Sequence, residues 1–361
     1  MKKLLCIILS LIMLTSISLA GAPTYESKTV SGVKANVVKV KLEKGVKLRV
    51  AKNNDKLIGA ESFQSMVKTY GAKAAINANY FDAYKTLEPM ATIIKGKQVI
   101  HMVGNTASLM VYDDYKVHFD TLTLSYNGSL DGKTKNEWNN KTQAMDFNTF
   151  SVWYVNQSPN DQSGVYIFTK YRNKDIILNG GWIVEVVNNV VGKTYSPAGK
   201  ITIPENGYVI YYGLQAADKN YVDQRFKQGR TVGLELVDQT GSSTFKAGDK
   251  DIKYSDVSDM IAAGPMVVKN GKNVAAENKK AFKEAKINTN SAQRSAIGVT
   301  ANNELVMVTC VANMEKLAQV MIALGCKNAM NLDGGASSAL YVNGKCVKPA
   351  GRNLNTIFMV Q

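Results

Sequence analysis

The stretch from residue 323 to 341, ALGCKNAMNLDGGASSALY, constrains the fold more than any other part of the sequence. It leads from the end of a helical pattern through a short apolar run into a polar, glycine-rich turn, and then into a second apolar run. The turn, residues 331–338, places a carboxylate, an amide and two hydroxyls at the end of a strand. Such an arrangement is typical of a binding or catalytic site.

Short apolar runs separated by turn residues fill the middle of the chain, from about residue 112 to 259, and they are typical of β-strands. Helical spacing is confined to a few segments, chiefly residues 61–70 and 314–324. These patterns predict an α+β fold. It would have a mixed, largely antiparallel β-sheet core, a few packed helices and a β-rich middle section.

Three hairpins follow from the alternation of apolar and polar residues. Residues 29–50 predict one that turns near residues 43–45, and residues 92–103 predict another around a central glycine. The third would pair residues 176–178 with residues 182–187 across an Asn-Gly-Gly turn.

The beginning of the chain has the pattern of a secretory signal peptide. Lys2 and Lys3 precede an apolar run at residues 4–14 that is short for a membrane span, and small residues follow it. We therefore expect a signal peptide at residues 1–22, one domain at residues 23–361, and no transmembrane segment after cleavage. The mature protein would be secreted or extracellular, with association to a cell wall as one option.

The chain is basic, with a formal net charge of +15, and removal of the two leader lysines leaves +13. An anionic glycan is a natural partner for such a protein outside the cell. The basic residues do not form blocks with interleaved aromatics, so nucleic acid is not expected as a partner. Three cysteines remain after the leader, Cys310, Cys326 and Cys346, which leaves open one disulfide and at least one free thiol.

Residues 70–82 resemble residues 324–337. Each segment combines a helix end, a capping glycine, a short apolar run and an Asn-x-Asn or Asn-x-Asp terminus. If the two strands lie in one sheet with their ends together, Asn77, Asn79, Asn331 and Asp333 converge on one crevice.

The residue inventory excludes several kinds of catalysis. Only His101 and His118 are present, so metal sites and triads that need several histidines are poorly served. Ser337 and Ser338 lack the GxSxG elbow of a hydrolase serine, and the glycines before them lack the P-loop lysine. The sequence requires no cofactor, and it leaves open whether a divalent cation binds.

Of the kinds of catalysis considered, the sequence still allows one that depends on carboxylates. Asp333 can act as acid, base or nucleophile, with Asp82 or Glu88 as its partner across a glycosidic bond. Arg294 has the planar fork that suits a phosphate group, and Gly334 and its neighbours let main-chain N–H groups approach an anion. The structural alternatives are a turn-forming role for the aspartate and a surface ion pair for the arginine.

Three stretches together resemble the phosphodiester glycosidase family. They are AINANYF at residues 75–81, RSAIG at residues 294–298 and NLDGGASS at residues 331–338, in the family's order. The Gly-Pro stretch at residues 262–271 also resembles the family's strand and turn. The resemblance extends from about residue 37 to the end of the chain, loosely in the middle third.

The resemblance implies a glycosidase that hydrolyses a sugar-1-phosphate diester and releases the sugar. The catalytic residues that it implies are Asp333, Arg294, Asn77 and Asn331. The residues that we expect to bind the substrate are Asn79, Asp82, Glu88, Gly334, Gly335, Ser337 and Ser338. The family's glycines are replaced at Ala78, Asn79 and Ala336, which leaves the identity of the substrate open.

Two other functions stay open. The first is a glycan- or wall-binding module that keeps the scaffold without turnover. The second is a phosphodiesterase that breaks the P–O bond, which would more naturally use a pair of metal ions.

Overall fold

The structure is a computed structural model, and it describes residues 21–52, 55–173 and 175–361. The first twenty residues of the predicted signal peptide lie outside the described residues. In the part that is described, no helix combines the length and the apolarity that a bilayer crossing requires.

The strands before residue 131 are β1 (Thr24–Val30), β2 (Val33–Lys41), β3 (Leu48–Lys52), β4 (Ala74–Asn77), β5 (Ile93–Lys95), β6 (Gln98–His101), β7 (Thr106–Tyr112), β8 (Lys116–Leu122) and β9 (Leu124–Leu130). Those of the middle section are β10 (Glu137–Asn139), β11 (Ala144–Asp146), β12 (Thr149–Val152), β13 (Tyr154–Val155), β14 (Val165–Phe168), β15 (Asp175–Asn179), β16 (Trp182–Val187), β17 (Val190–Tyr195), β18 (Ala198–Thr202), β19 (Gly207–Tyr212), β20 (Val232–Asp238), β21 (Thr244–Ala247) and β22 (Lys250–Lys253).

The C-terminal strands are β23 (Asp259–Ala263), β24 (Met266–Lys269), β25 (Lys272–Asn273), β26 (Ala292–Thr300), β27 (Glu304–Ala312), β28 (Cys326–Asn331), β29 (Leu340–Val342), β30 (Lys345–Lys348) and β31 (Thr356–Val360). The helices are α1 (Phe63–Thr69), α2 (Lys219–Arg225), α3 (Ala275–Asn278), α4 (Ala285–Asn288) and α5 (Met314–Ala323).

The fold is mostly β, with 49% of residues in strands and 12% in helices. The predicted sheet core and β-rich middle section are confirmed, but a balanced α+β fold is wrong. The physical reason is that the helical segments are short, whereas almost every apolar run between turns pairs with another strand.

A seven-stranded sheet in the order β1-β2-β27-β26-β28-β24-β25 supports the C-terminal half. Successive side chains of β27 point to opposite faces of this sheet. Leu305 and Met307 enter the largest core cluster, whereas Val306 and Val308 pack with Leu317 of α5 on the other face. The sheet is therefore buried on both sides, which holds its strand ends in place.

Two five-stranded sheets pack around the same cluster. One has the order β3-β31-β4-β29-β30, and its outer face is covered by Phe63 and Met66 of α1. The other has the order β6-β5-β23-β7-β8. Its alternate residues divide between two clusters, since Ile93 joins the largest core while Ile94 faces the core of the middle section. The middle section thus stacks on the face opposite the C-terminal strands.

The two larger sheets of the middle section are a five-stranded sheet, β13-β14-β19-β16-β17, and a three-stranded sheet, β12-β9-β20. Only the pair β13–β14 is parallel among the pairings described in these sheets.

The predicted hairpin at residues 92–103 is confirmed as β5–β6. The hairpin predicted to turn near residues 43–45 is wrong in its position, because the chain turns at Ser31 and Gly32, both with positive φ. The predicted pairing of residues 176–178 with residues 182–187 is also wrong. β15 pairs with β18, since β17 and β19 occupy the two edges of β16.

Candidate functional site

The glycine-rich turn lies where the ends of β4, β26 and β28 meet. The main-chain N–H of Leu332 donates to the carbonyl of Ser295 at 2.8 Å, and that of Asp333 donates to the carbonyl of Ala78 at 3.0 Å. The two Asn-x-Asn/Asp segments therefore converge, as the sequence predicts. They do so from two different sheets, because β4 belongs to a five-stranded sheet and β28 to the seven-stranded one, so the expectation of a single sheet is wrong.

Asn77 joins the two segments through every polar atom of its side chain. Its Nδ2 donates to the main-chain carbonyl of Asp333 at 2.6 Å. Its Oδ1 accepts from the hydroxyl of Ser295 at 2.7 Å and from the N–H of Ala339 at 3.0 Å. A buried amide with this set of partners holds the turn in place.

Asn331 makes the reciprocal connection. Its Nδ2 lies 2.8 Å from the carbonyls of Gly264 and Leu332 and 2.9 Å from the hydroxyl of Tyr80. That hydroxyl in turn donates to the Gly264 carbonyl at 2.6 Å. Burial raises the pKa of the Tyr80 hydroxyl far above its ordinary value, so the tyrosine stays protonated as a donor.

Asp333 presents a half-buried carboxylate at the centre of this meeting point. Its Oδ1 accepts from the N–H of Gly334 at 2.9 Å, and its carboxylate also accepts from the hydroxyl of Ser337. Burial raises the pKa of this carboxyl to about 6, against the lowering effects of those two donors and of the positive charges of Arg352 and Lys286. At neutral pH the group is therefore a weakly solvated anion, and the positive charges of Arg352 and Lys286 favour its ionised form.

Arg294 is close in the fold to the turn but is committed to the main chain. Its Nε donates to the carbonyl of Ala312 at 3.0 Å, and its Nη2 donates to the carbonyls of Asn290, at 2.9 Å, and Lys286. Its side chain is buried. This guanidinium therefore holds the segment that contains α4 against β26 and β27, which is a structural task.

Asp82 lies in an exposed turn, where its carboxylate accepts from the main-chain N–H groups of Tyr84, Lys85 and Thr86 at 3.1–3.3 Å. It shapes its own loop, and its role as the partner of Asp333 stays a prediction.

Glu88 lies in the core of the boundary with the middle section. Its carboxylate accepts from the N–H and hydroxyl of Ser158, at 2.7 and 2.6 Å, and forms an ion pair with Arg172 at 2.9 Å. Three donors leave this buried group engaged in a structural network, so the structure does not bring it to Asp333 as a second carboxylate.

The remaining predicted residues divide between the site and its support. Asn79 is buried, and its Nδ2 donates to the carbonyl of Thr92 at 3.1 Å. Gly334 packs so closely that a Cβ there would lie 2.8 Å from the carbonyl of Gln293, whereas Gly335 is exposed with a φ of 61°. Ser338 is buried, and its hydroxyl has no partner among the described residues.

Three residues near Asp333 were not singled out as site residues from the sequence. Tyr80 lies within a motif that the resemblance used, so its neighbourhood was visible. Arg352 and Tyr84 belong to no recognisable motif, and only the tertiary structure brings them together at a distance of 2.8 Å between Nη2 and the hydroxyl.

Among the residues that the structure describes, no group of three or more His, Cys, Asp or Glu side chains could hold a metal ion. The three described cysteines are unpaired, and Cys310 and Cys326 are buried.

Comparison with known proteins identifies a family whose model matches the chain. A family model described as phosphodiester glycosidase matches residues 174–361, just over half of the chain. The matched range contains Arg294, the 331–338 turn and Arg352, but not Asn77. None of the curated proteins matches the chain in sequence.

Solved structures share the fold. A hypothetical protein from Synechocystis superposes with a TM-score of 0.75 at 20% identity over 94% of this chain, and this chain spans 62% of the length of that protein. A protein from Burkholderia pseudomallei K96243, provisionally described as exported, gives a TM-score of 0.66 at 16% identity over 90% of this chain and 73% of that one.

The catalytic domain of zebrafish N-acetylglucosamine-1-phosphodiester alpha-N-acetylglucosaminidase, auto-inhibited by its pro-peptide, gives a TM-score of 0.47 at 13% identity. The match covers 96% of this chain and 85% of that one.

Proposed function

The chain belongs to the phosphodiester glycosidase family, and on that premise we propose that it hydrolyses a sugar-1-phosphate diester and releases the sugar. One observation carries the proposal. Asp333 is a half-buried carboxylate with a pKa raised to about 6, positioned where three strand ends meet and flanked by the charges of Arg352 and Lys286. Perturbed carboxylates of this kind are typical of catalytic sites.

The chemistry suits a single free carboxylate. An ordinary glycosidase uses one carboxylic acid to protonate the leaving oxygen and a second carboxylate at the sugar carbon. A phosphate monoester leaves as a stable anion, so the C1–O bond can break without a general acid, and its electron pair stays on the phosphate oxygen. Water then adds its oxygen to C1 and releases a proton.

In this mechanism Asp333 acts on the sugar. As the bond to phosphate lengthens, positive charge develops at C1, and a carboxylate in a poorly solvated position stabilises that charge strongly. The same carboxylate could add to C1 as a nucleophile and be displaced by water. Both routes require the ionised form of Asp333.

Asn77 and Asn331 have a positioning role in this proposal. Their amides set the main chain on both sides of Asp333 and do not contact the reacting atoms. Arg294, whose guanidinium donates to main-chain carbonyls, supports the wall of the site. We therefore expect a further cation to take part in binding the phosphate.

For the whole protein, we propose that residues 23–361 act as one secreted domain on an envelope or extracellular glycan. The support is the leader pattern at residues 1–22 and the net charge that remains without it, +13. The provisional description of the Burkholderia pseudomallei structure as an exported protein agrees with this location.

Glycan binding without turnover is the second candidate function. The observation that favours it is that Asp82 and Glu88, the two carboxylates predicted as partners of Asp333, accept hydrogen bonds from other groups. Turnover of a phosphodiester by the purified protein would decide between the two.

The test is release of sugar from a panel of uridine-diphosphate sugars and methyl diesters of sugar 1-phosphates. We expect the wild-type chain to release one of these sugars, and Asp333→Asn to lower kcat/KM by about 1000-fold or more, because the amide carries no charge for the sugar carbon. Asp251→Asn, in the exposed pair with Lys246 on β22, is the matched control and should leave activity unchanged. Full activity in Asp333→Asn would end the proposal.

Hydrolysis in ¹⁸O-labelled water identifies the bond that breaks. Label in the sugar supports cleavage of the C–O bond, whereas label in the phosphate indicates a phosphodiesterase. Each reaction is run with and without a chelator, so that a requirement for a divalent cation is measured directly.

A further inference from the structure

The proposed mechanism needs a cation at the phosphate, and Nε and Nη2 of Arg294 already donate to main-chain carbonyls. We propose that Arg352, held in place by Tyr84, binds the phosphodiester anion of the substrate, and we call this pair of residues the anchor. This inference rests on the proposed function. The two residues lie on separate segments, of which that of Arg352 contacts the 331–338 turn. Neither belongs to a motif that is recognisable in the sequence.

Arg352 is fixed by its own segment, residues 349–355, between β30 and β31. The N–H of Gly351 donates to the carbonyl of Ala336 at 2.7 Å, so the segment contacts the turn directly. Leu354 and Glu61 exchange two main-chain hydrogen bonds at 2.8 and 2.9 Å. The arginine is thus pinned on both sides, next to the turn that carries Asp333.

Tyr84 reaches Arg352 from the opposite loop. The Arg352 guanidinium carbon lies 4.9 Å from the centre of the Tyr84 ring, and Nη2 donates to the Tyr84 hydroxyl at 2.8 Å. The hydroxyl and ring of Tyr84 thus contact one edge of the Arg352 guanidinium. Because Tyr84 is 85% exposed, its other ring face is open to a ligand.

Asp82 has a role in this arrangement that differs from the one predicted. Its carboxylate accepts from the N–H groups at residues 84–86, and this shapes the loop that presents Tyr84. The side chain of Asn355 donates to the carbonyl of Leu87 at 3.1 Å and so ties that loop to the segment of Arg352. The two halves of the anchor are therefore held relative to each other.

The charges favour an anion at this place. Among the ion pairs of the described residues, none includes Arg352, whereas Arg172 is paired with Glu88 and Arg230 with Asp131. A planar guanidinium donates two parallel hydrogen bonds to a phosphate. With the phosphate on Arg352, the sugar carbon would face Asp333, so the two charges of the substrate in the transition state would each meet an opposite charge.

The experiment compares a charged and a neutral donor of the same sugar, the uridine-diphosphate sugar and the aryl glycoside. The variants, in the full chain, are Arg352→Met, Arg352→Lys and Tyr84→Phe. Lys246→Met, an exposed cation on β21, is the control for loss of one positive charge, and it should change nothing.

We expect Arg352→Met to raise KM for the uridine-diphosphate sugar about 10- to 100-fold with little change in kcat, the range for loss of charge-assisted hydrogen bonds. The KM for the aryl glycoside should stay within about twofold. Arg352→Lys should recover part of the affinity, and Tyr84→Phe should raise KM less than Arg352→Met does. The acid limb of the pH profile should move to higher pH in Arg352→Met, because the positive charge that lowers the pKa of Asp333 is gone.

Binding of the uridine-diphosphate sugar to Asp333→Asn, measured by calorimetry with and without Arg352→Met, separates this inference from the proposed function. If no sugar is released but binding depends on Arg352, the anchor stands and the hydrolase proposal fails. Unchanged KM and binding in Arg352→Met, or equal losses with both donors, overturn the anchor while hydrolysis stands. Absence of both binding and release overturns both.

Discussion

The segments 77–80 and 331–334 share the pattern Asn-x-Asn/Asp and yet place its last residue in different environments. Asn79 is buried and donates to the carbonyl of Thr92, with its Oδ1 unpaired among the described residues. Its counterpart Asp333 is half-buried, and burial raises the pKa of its carboxyl to about 6. The first segment supplies support, through Asn77 and Tyr80, and the second carries the carboxylate that we propose as the catalytic group.

The contrast between Asn79 and Asp333 shows that the Asn-x-Asn/Asp motif alone does not make a functional site. Each segment uses its first asparagine to hold the main chain of its partner or of a neighbouring strand, since Asn77 binds the carbonyl of Asp333 and Asn331 binds that of Gly264. What separates the segments is the environment of the third residue. Asn79 is buried in the core, whereas Asp333 is half-buried and feels the positive charges of Arg352 and Lys286.

Exchanging the two third residues tests this contrast most strongly. The double variant Asn79→Asp/Asp333→Asn keeps one carboxylate in the paired motifs, but it should remain about 1000-fold less active than the wild type, because the new carboxylate is buried away from the cations. Sugar release from the substrate of the wild-type chain is the measurement. Recovered activity would show that the two positions share one crevice and would break the comparison.

Asn79→Asp alone should destabilise the fold by about 3 kcal/mol at pH 7, because a buried carboxylate would face the carbonyl of Thr92. Burial raises the folded-state pKa of such a group, so the stability is present below its unfolded pKa, about 4, and is lost as the pH rises. Urea unfolding at pH 4 and pH 7 measures the difference. Equal destabilisation at both values would contradict a buried carboxylate.

Asn77→Ala should lower the free energy of unfolding by about 2 kcal/mol, because it leaves the Ser295 hydroxyl and the Ala339 N–H without their acceptor. Asn220→Ala, on the exposed face of α2, is the control and should change stability by less than about 0.5 kcal/mol. Chemical denaturation measures both. If Asn77→Ala removed activity without lowering stability, a direct catalytic role would replace the supporting one.

Asp333→Asn should change stability in the opposite direction. Because burial raises the folded-state pKa of Asp333 to about 6, the wild-type chain loses stability as the pH rises from about 4 through 6. The variant lacks this loss, so it should be more stable by at most about 3 kcal/mol at pH 7 and equal to wild type below pH 4. Thermal unfolding across this pH range measures the gap, and a variant less stable at pH 7 would show that the carboxylate is a structural group.

The local sequence patterns predicted the helices and strands better than they predicted which strands pair with each other. The helical spacing at residues 61–70 and 314–324 corresponds to α1 and α5, each with an N-cap side chain, Ser62 and Asn313, that accepts a main-chain N–H. The pairing of β15 with β18 was missed, because a strand's edges are assigned by competition among all strands of the fold.

The candidate site was predicted in the same uneven way. The turn at residues 331–338 pointed to Asp333, since carboxylate, glycines and hydroxyls are adjacent in the chain. The commitment of Arg294 to carbonyls at residues 286, 290 and 312 was not visible, because those acceptors converge only in the folded protein.

By itself the sequence determined the local chemistry: a β-rich chain, two related strand ends, a carboxylate on a glycine-rich turn and the resemblance that named the family. Only the tertiary structure decided which polar groups are used up in support and which stay free. The physical reason is that a buried hydrogen-bonding group must find a partner, and the partners of Asn77 and Glu88 come from distant parts of the chain. Those of Arg294 are nearer in sequence but converge only in the folded protein. Asp333 stays half-buried, and Arg352 belongs to none of the ion pairs of the described residues.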